Sequence, residues 1–242
     1  MPLIVPDWPA PATVGAVSST REGGVSEACW ASLNLGAHVG DDTARVAENR
    51  RRFAAAAALP AEPVWLDQVH GVTVVDAAVA DGPEQGDAAV ATRGGVVCAV
   101  MTADCLPVLL CDRAGTCVAA VHAGWRGLAD GVIEASLGAL PVEPAALLAW
   151  LGPAIGPTAF EVGDEVRERF VGPDAGAADA FVRRGERWLA DLYALARRRL
   201  AAAGVTAVFG GGFCTLSENE RFFSYRRDGQ TGRMATAVWL RP

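Results

Sequence analysis

The spacing of apolar positions changes period several times along the chain, and each change predicts an element. Thr13 to Ser19 alternates as a half-buried strand does, and Glu22-Gly23-Gly24 then reads as a turn. Asn34 to Asp42 has no period and reads as a loop. Thr43 to Leu59 is rich in Ala and Arg, with Asp42 as the N-cap and Pro60 as the stop, so an amphipathic helix is predicted there. Between Val64 and Val121 the pattern shifts to short β-rich runs: Val64 to Leu66, Val72 to Val79, Ala88 to Thr92, Val96 to Met101, Val108 to Leu110 and Cys117 to Val121. Helical spacing follows at Gly127 to Leu140, a buried strand at Leu147 to Leu151, and helical spacing again at Gly163 to Val171 and at Arg187 to Ala203, with Gly204 as its cap. Gly172 to Gly185, rich in Gly, Ala and Asp, reads as a surface loop. Final strands are expected near Val205 to Phe209, Phe222 to Arg226 and Met234 to Leu240.

Strands and helices therefore mix without a regular βαβ repeat. That predicts an α+β fold: a single layered domain over residues 1–242, with a central mixed β-sheet region flanked by helices. A chain of 242 residues with 51% hydrophobic content can bury a large core. No apolar run reaches the roughly 18 residues that span a bilayer. The opening Met1 to Asp7 lacks the basic and apolar regions of a secretory signal, so the cytoplasm is the expected compartment.

Charge and composition then remove whole classes of chemistry. The net charge of -7 leaves no broad basic face for phosphate neutralisation, so nucleic acid is not an expected partner, and without a spanning run neither is a membrane. All 21 basic residues are arginines, which excludes Schiff bases, pyridoxal attachment and a P-loop lysine. The six cysteines fit reduced thiols in a well-cored chain, with Cys98, Cys111 and Cys117 as core filling. Histidine is limited to His38, His70 and His122.

Three polar clusters sit where apolar strands end. Met101-Thr102-Ala103-Asp104-Cys105-Leu106-Pro107 interrupts two buried runs with a thiol. Cys117 to Val121 delivers His122, followed by Ala123-Gly124-Trp125-Arg126-Gly127, where small residues allow close approach and Arg126 adds a fixed charge. Trp65-Leu66-Asp67-Gln68-Val69-His70-Gly71 brings a second histidine. A tight turn around an inert Cys105, or a satisfied core histidine, explains each cluster taken singly. Taken together, two imidazoles and a thiolate suit a catalytic zinc with one open position, or a trigonal copper with Met101 or Met234 as a remote axial ligand. Cys-x-x-Cys is absent, which argues against a finger-type structural zinc.

Several motifs in order resemble one family. Thr20-Arg21-Glu22-Gly23-Gly24-Val25-Ser26, Asn34 to Asp42, Gln68-Val69-His70-Gly71, Thr102 to Pro107, His122 to Gly127, Gly152-Pro153-Ala154-Ile155-Gly156, Phe223 to Asp228 and Thr231 to Ala235 closely resemble the YfiH family, also called laccase-domain or polyphenol oxidase-like purine nucleoside phosphorylases. The resemblance implies a zinc held by His70, Cys105 and His122. It further implies phosphorolysis of adenosine, inosine and methylthioadenosine to free base and ribose (or methylthioribose) 1-phosphate, adenosine deamination, and an older copper polyphenol oxidase assignment.

The expected substrates are thus a small-molecule nucleoside and phosphate, and a homodimer is the assembly considered. His70, Cys105, His122 and Asp104 are the expected catalytic residues, with Asp104 or Asp67 as proton carrier. For the anion, Arg21, Arg126, Arg226 and Arg227 are candidates, because guanidinium forks match phosphate oxygens. Asn34 and Gln68 are candidates for contacts to base or ribose hydroxyls, and His38 for orienting its loop or touching substrate without binding metal. A full laccase centre needs far more imidazoles than three, so the oxidase alternative reduces to weak phenol oxidation at one copper. A second alternative uses Cys105 as nucleophile and His122 as base in a thiol hydrolase or amidase editing peptidoglycan precursors. A non-enzymatic binding module is the third.

Overall fold

The computed structural model describes residues 1–82 and 84–242. In chain order its elements are β1 (Leu3–Ile4), β2 (Val14–Ser19), α1 (Thr43–Ala57), β3 (Val74–Asp76), β4 (Ala88–Ala91), β5 (Val97–Thr102), β6 (Leu106–Asp112) and β7 (Val118–Ala123). Then come α2 (Trp125–Asp130), α3 (Val132–Gly138), β8 (Leu147–Leu151), β9 (Glu161–Val162), α4 (Asp164–Val171), β10 (Phe181–Arg184), β11 (Arg187–Ala190), α5 (Leu192–Ala202), β12 (Ala207–Gly210), α6 (Tyr225–Asp228) and β13 (Met234–Leu240).

Side-chain alternation sorts these elements into layers. The large mixed sheet has strand order β12-β8-β6-β7-β4-β3, with β12 parallel to β8, β3 parallel to β4, and the other pairs antiparallel. Leu106, Val108 and Leu110 of β6 point to one core, where they meet Leu128, Ile133 and Leu137 of α2 and α3 and Leu195 and Leu200 of α5. Leu109 and Cys111 point the other way, against Cys98, Val100, Val238 and Leu240 of a second sheet ordered β1-β2-β13-β5. That sheet alternates in turn: Val97, Ala99, Ala237 and Trp239 face outward and are covered by Phe53 of α1 with Leu33 and Leu35. Period-two alternation thus makes both sheets two-faced, and the result is helix, sheet, sheet, helix. No helix among the described residues is long and apolar enough to cross a membrane.

The α+β layered architecture agrees with expectation, and the differences have local causes. α1 starts where Asp42 accepts from the Ala44 and Arg45 amides, and ends at Ala58 in the left-handed region. The helix expected from Gly127 to Leu140 is instead α2 and α3, divided at Gly131, whose φ of 102° no helical residue adopts. Arg187 to Ala203 is not one helix. Arg187 to Ala190 pairs as β11 with Phe181–Arg184, and the Asp191 side chain then caps α5 by accepting from the Ala194 amide. The expected loop Gly172 to Gly185 therefore contains a 3-10 turn, Ala175–Ala180, and strand β10. Phe222 to Arg226 is not a strand: Ser224 accepts from the Arg227 amide and starts α6. Cys98, Cys111 and Cys117 are fully buried free thiols, as expected of core filling.

The β6–β7 hairpin brings two of the polar strand ends together, because its register pairs Pro107 with His122 and Leu106 with Ala123. Its turn is fixed by Asp112, which accepts from the Thr116 amide (2.6 Å), the Cys117 amide (2.9 Å) and the Thr116 hydroxyl (2.9 Å). Burial pushes the Asp112 carboxyl up, but these donors outweigh it and hold it below the usual carboxylate range. Its contribution is therefore complete above the unfolded pKa and fades as pH falls through the lower folded value. Asp112→Asn should lower stability by about 1–3 kcal/mol at neutral pH. In denaturant melts at several pH values, the gap between the two proteins should narrow only below about pH 4.

Candidate metal centre

Hairpin register and one tight loop bring the expected ligands together. Cys105 immediately precedes β6 and His122 lies next to last in β7, so the antiparallel pairing sets them side by side at the same sheet end. His70 arrives from the Asp67–Gly71 loop. The donor atoms of His70, Cys105 and His122 all lie within 4.8 Å of one another, with Cys105 Sγ 3.8 Å from His70 Nε2. The two rings meet edge to face, with centroids 4.8 Å apart. His122 is buried, Cys105 is half-buried and His70 is exposed, so the cluster opens to solvent on one side.

A buried carboxylate organises the two histidines. Asp87, just ahead of β4, has no solvent exposure. Its Oδ1 accepts from the His70 amide (2.9 Å) and contacts His122 Nδ1 (2.8 Å), while Oδ2 accepts from the amides of Val69 (3.2 Å) and Gly71 (2.7 Å). The Asp87 carbonyl also accepts from the His122 amide at 2.7 Å. An imidazole that donates from Nδ1 presents the lone pair of Nε2, the tautomer a metal requires. The three loop amides hold His70 at φ 62°, a left-handed conformation that a residue with a β-carbon rarely adopts.

Electrostatics within the cluster follow the same contacts. Burial pushes the Cys105 thiol up, but the imidazoles of His122 and His70 outweigh it and bring it down to about 6. Burial disfavours the His122 cation, whereas the Cys105 thiolate and the Asp87 carboxylate raise it. For Asp87, burial again acts upward, and the His122 ring with the Gly71 and His70 amides brings it below the usual range.

These residues fit a metal ion. Zinc bonds of about 2.0–2.3 Å to nitrogen and sulfur set tetrahedral ligand atoms roughly 3.3–3.8 Å apart; the Cys105–His70 pair at 3.8 Å meets that spacing, and all three donors lie within 4.8 Å. Three protein donors, one open side and a carboxylate behind a histidine match a catalytic rather than a structural site. Gly124 allows this closeness: a β-carbon there would lie 2.8 Å from His70 Cδ2 and 3.2 Å from Cys105 Sγ.

The cluster floors a cavity of about 460 Å³. Trp125, Ile155 and Phe160 give it an apolar wall, and Arg126, Arg226 and Arg233 bring positive charge. The family model described as multi-copper polyphenol oxidoreductase laccase matches residues 15–241. The protein belongs to that family, which is the YfiH family. It is 59% identical over 239 residues to the purine nucleoside phosphorylase YfiH of Shigella flexneri, covering 98% of each chain. To the purine nucleoside phosphorylase PA4543 of Pseudomonas aeruginosa it is 59% identical over 242 residues, again with 98% of each covered. Among solved structures, the Neisseria meningitidis protein NMB0706 is similar with a TM-score of 0.96 at 52% identity, covering 99% of both chains. The Bacillus licheniformis YfiH structure is similar at 0.88 and 30%, covering 94% of this chain and 92% of that one.

Within this YfiH-family protein the remaining expected site residues divide. His38, Gln68, Asp104, Arg126 and Arg226 line the cavity; Arg21 and Asn34 do not. The Arg21 guanidinium is taken up by the carbonyls of Ala31 and Asn219, and Arg227 by those of Thr215, Leu216 and Phe222 with Asp228. Asn34 is fully buried and ties its own loop to Asp41, Gly36 and the Arg233 amide. Gln68 exchanges two hydrogen bonds with the Met101 backbone, 2.8 and 2.7 Å, and so acts as a strand mimic for β5. Asp104 has φ 94°, and its oxygens accept from the Thr215 hydroxyl and the Arg226 amide, both at 2.6 Å. Those contacts favour a positioning role over proton transfer. Asp87 and Arg233 went unread in the sequence; the signals were an acid opening an all-apolar strand and an arginine at the mouth of β13.

Asp87→Asn keeps the side-chain shape but sets an amide against donors. It should weaken metal binding about tenfold to a hundredfold, as measured by chelator competition, and, as with Asp112→Asn, should lower the stability of the metal-free protein by about 1–3 kcal/mol in denaturant melts. Gly124→Ala should displace the His70 ring and lower the bound-metal stoichiometry in metal analysis of the purified protein.

Proposed function

We propose that the protein is a zinc-dependent purine nucleoside phosphorylase acting on adenosine, inosine and methylthioadenosine, and that it also deaminates adenosine. The observation that carries this reading is the junction of the His70, Cys105 and His122 cluster with an apolar wall and unpaired guanidinium groups in one cavity. The names of the relatives, purine nucleoside phosphorylases along nearly their whole lengths, support the same reaction class.

In phosphorolysis a phosphate oxygen bonds to ribose C1′ while the C1′–N9 bond breaks. The electron pair leaves with the purine, which takes up a proton and departs as free base, leaving ribose 1-phosphate. The chain supplies two recognition surfaces for that step. Trp125, Ile155 and Phe160 receive the flat apolar base, and cavity arginines orient and neutralise the phosphate. Arg226 sits over the Phe160 ring at 5.3 Å and donates to the Glu161 carbonyl, which places its charge between the two surfaces. His70, Cys105 and His122 would hold zinc, which when bound supplies a Lewis acid for the substrate's oxygens or for the water that replaces the purine amine in deamination. Asp87 fixes the His122 tautomer, and Asp104 anchors α6 and hence Arg226.

One observation favours a second reading. Asp87, His122 and Cys105 also form an acid–imidazole–thiol series, the arrangement of a thiol hydrolase. Zinc would occupy that thiolate, so the two readings differ in metal content and in product. Zinc-loaded protein incubated with adenosine should yield adenine and ribose 1-phosphate only when phosphate is present, and inosine with or without it. Cys105→Ala should lose zinc and at least about a hundredfold in both activities. Absence of all three products from zinc-replete protein would reject the nucleoside assignment, and full activity without metal would favour the thiol chemistry.

A further inference from the structure

Arg126, Arg226 and Arg233 all line the cavity, and among the described residues none has a carboxylate partner for its guanidinium group. Elsewhere, arginines such as Arg198 with Asp174 and Arg199 with Glu134 are ion-paired, and others such as Arg21 and Arg197 spend their guanidinium donors on backbone carbonyls. A guanidinium drawn into a protein without a counter-charge is unfavourable unless a ligand supplies one. Of the three, Arg233 is the most tightly built in.

Its placement follows from strand register. β13 pairs Met234 with Thr102, so Arg233 lies across from Ala103, two residues before Cys105. The stem is locked at several points. The Arg233 amide donates to Asn34 Oδ1 at 2.9 Å, and its Cγ fills the space where a β-carbon on Gly36 would lie, 2.8 Å away. At the head, Nη1 donates to the carbonyls of Thr231 and Gly232, both at 3.0 Å. Those two bonds engage both Nη1 hydrogens. Nε and Nη2 have no hydrogen-bond partner among the described residues, and together they form the side-on edge of the fork that meets two oxygens of an oxyanion. Burial lowers the Arg233 pKa, against the charges of Cys105, Asp104 and Tyr225, which raise it. A charge held in that setting gains more from an incoming anion than an exposed one does.

We propose that Arg233 is the principal phosphate-binding side chain of the cavity, presenting its Nε/Nη2 edge to two oxygens of inorganic phosphate beside the His70, Cys105 and His122 cluster. The proposal rests on the phosphorylase reading and assigns its anion subsite. It gives Asn34 and Gly36 a purpose as well: they set the Arg233 stem rather than touch substrate. Arg126, exposed, stacked on Trp125 at 4.5 Å and carrying no ion pair, is the second contact.

The test uses zinc-loaded full-length protein, with Arg233→Met to remove the charge and Arg233→Lys to keep the charge without the fork. Phosphorolysis of inosine is measured with phosphate varied at saturating nucleoside, then with the reverse. Arg233→Met should raise the KM for phosphate about tenfold to a hundredfold, and Arg233→Lys should recover only part of that loss. The KM for inosine, the zinc content and the melting temperature should stay near wild type, which separates phosphate binding from a structural role. Calorimetric titration with inorganic phosphate supplies an arm independent of turnover. Phosphate binding that Arg233→Met abolishes, in a wild type that does not phosphorolyse inosine, would support the anion site and reject the phosphorylase reading. Phosphorolysis with an unchanged phosphate KM in both variants would overturn the assignment to Arg233 and leave that reading intact. If Arg233→Met fails to fold, a wild-type phosphate KM in folded Arg233→Lys overturns the fork assignment.

Discussion

One buried carboxylate underlies the geometry of the candidate centre. Asp87 joins a backbone loop, a ring nitrogen and a strand end through side-chain and carbonyl contacts made from a fully buried position. Such a group is stable as an anion only because donors surround it, and the same donors are the parts that need to be held. The His70 loop adopts a left-handed turn because its amides converge on Asp87, and His122 keeps its Nε2 outward because Nδ1 is engaged. Remove the charge and both histidines lose their reason for being where they are.

The layered fold makes that arrangement rigid. Strands β6 and β7 are buried on both faces, between helices on one side and the second sheet on the other, so their ends cannot shift without disturbing two cores. Cys105 and His122 sit where that double constraint stops, at the point where apolar strand becomes polar loop. Glycine completes the fit: Gly124 leaves room for the cluster, and a β-carbon on Gly127 would lie 2.7 Å from the Gly71 carbonyl, so α2 can lie close under the His70 loop. Strand ends are rigid enough to position ligands and open enough to admit substrate.

The sequence made the strand ends visible and their wiring invisible. His70, Cys105 and His122 stand out because reactive side chains interrupt apolar runs, and β2, β8 and β13 lie where the apolar runs predict them. Asp87 looked like any acid before a strand, since five donors from distant positions have no local signature. Arg21 and Arg227 read as anion ligands because a guanidinium suits phosphate and backbone carbonyls alike, and only folding decides which it meets. Arg187 to Ala190 read as helix because the helical spacing after Asp191 extends backward into it; pairing with β10 and β9 overrides that local preference.

Charge distribution adds the last constraint. The chain carries a net charge of -7, yet the cavity holds guanidinium groups, and its acid, Asp104, is occupied by Thr215 and an amide of α6. A positive recess in an acidic body attracts a small oxyanion while the exterior repels a polyanion, so selection by charge occurs before any base is recognised. In the proposed reaction, the two reactants also differ in kind: a neutral, flat base and a compact anion. The apolar wall and the arginines can therefore sort them without competition, and the bond that changes must lie where those surfaces meet, above the His70, Cys105 and His122 cluster.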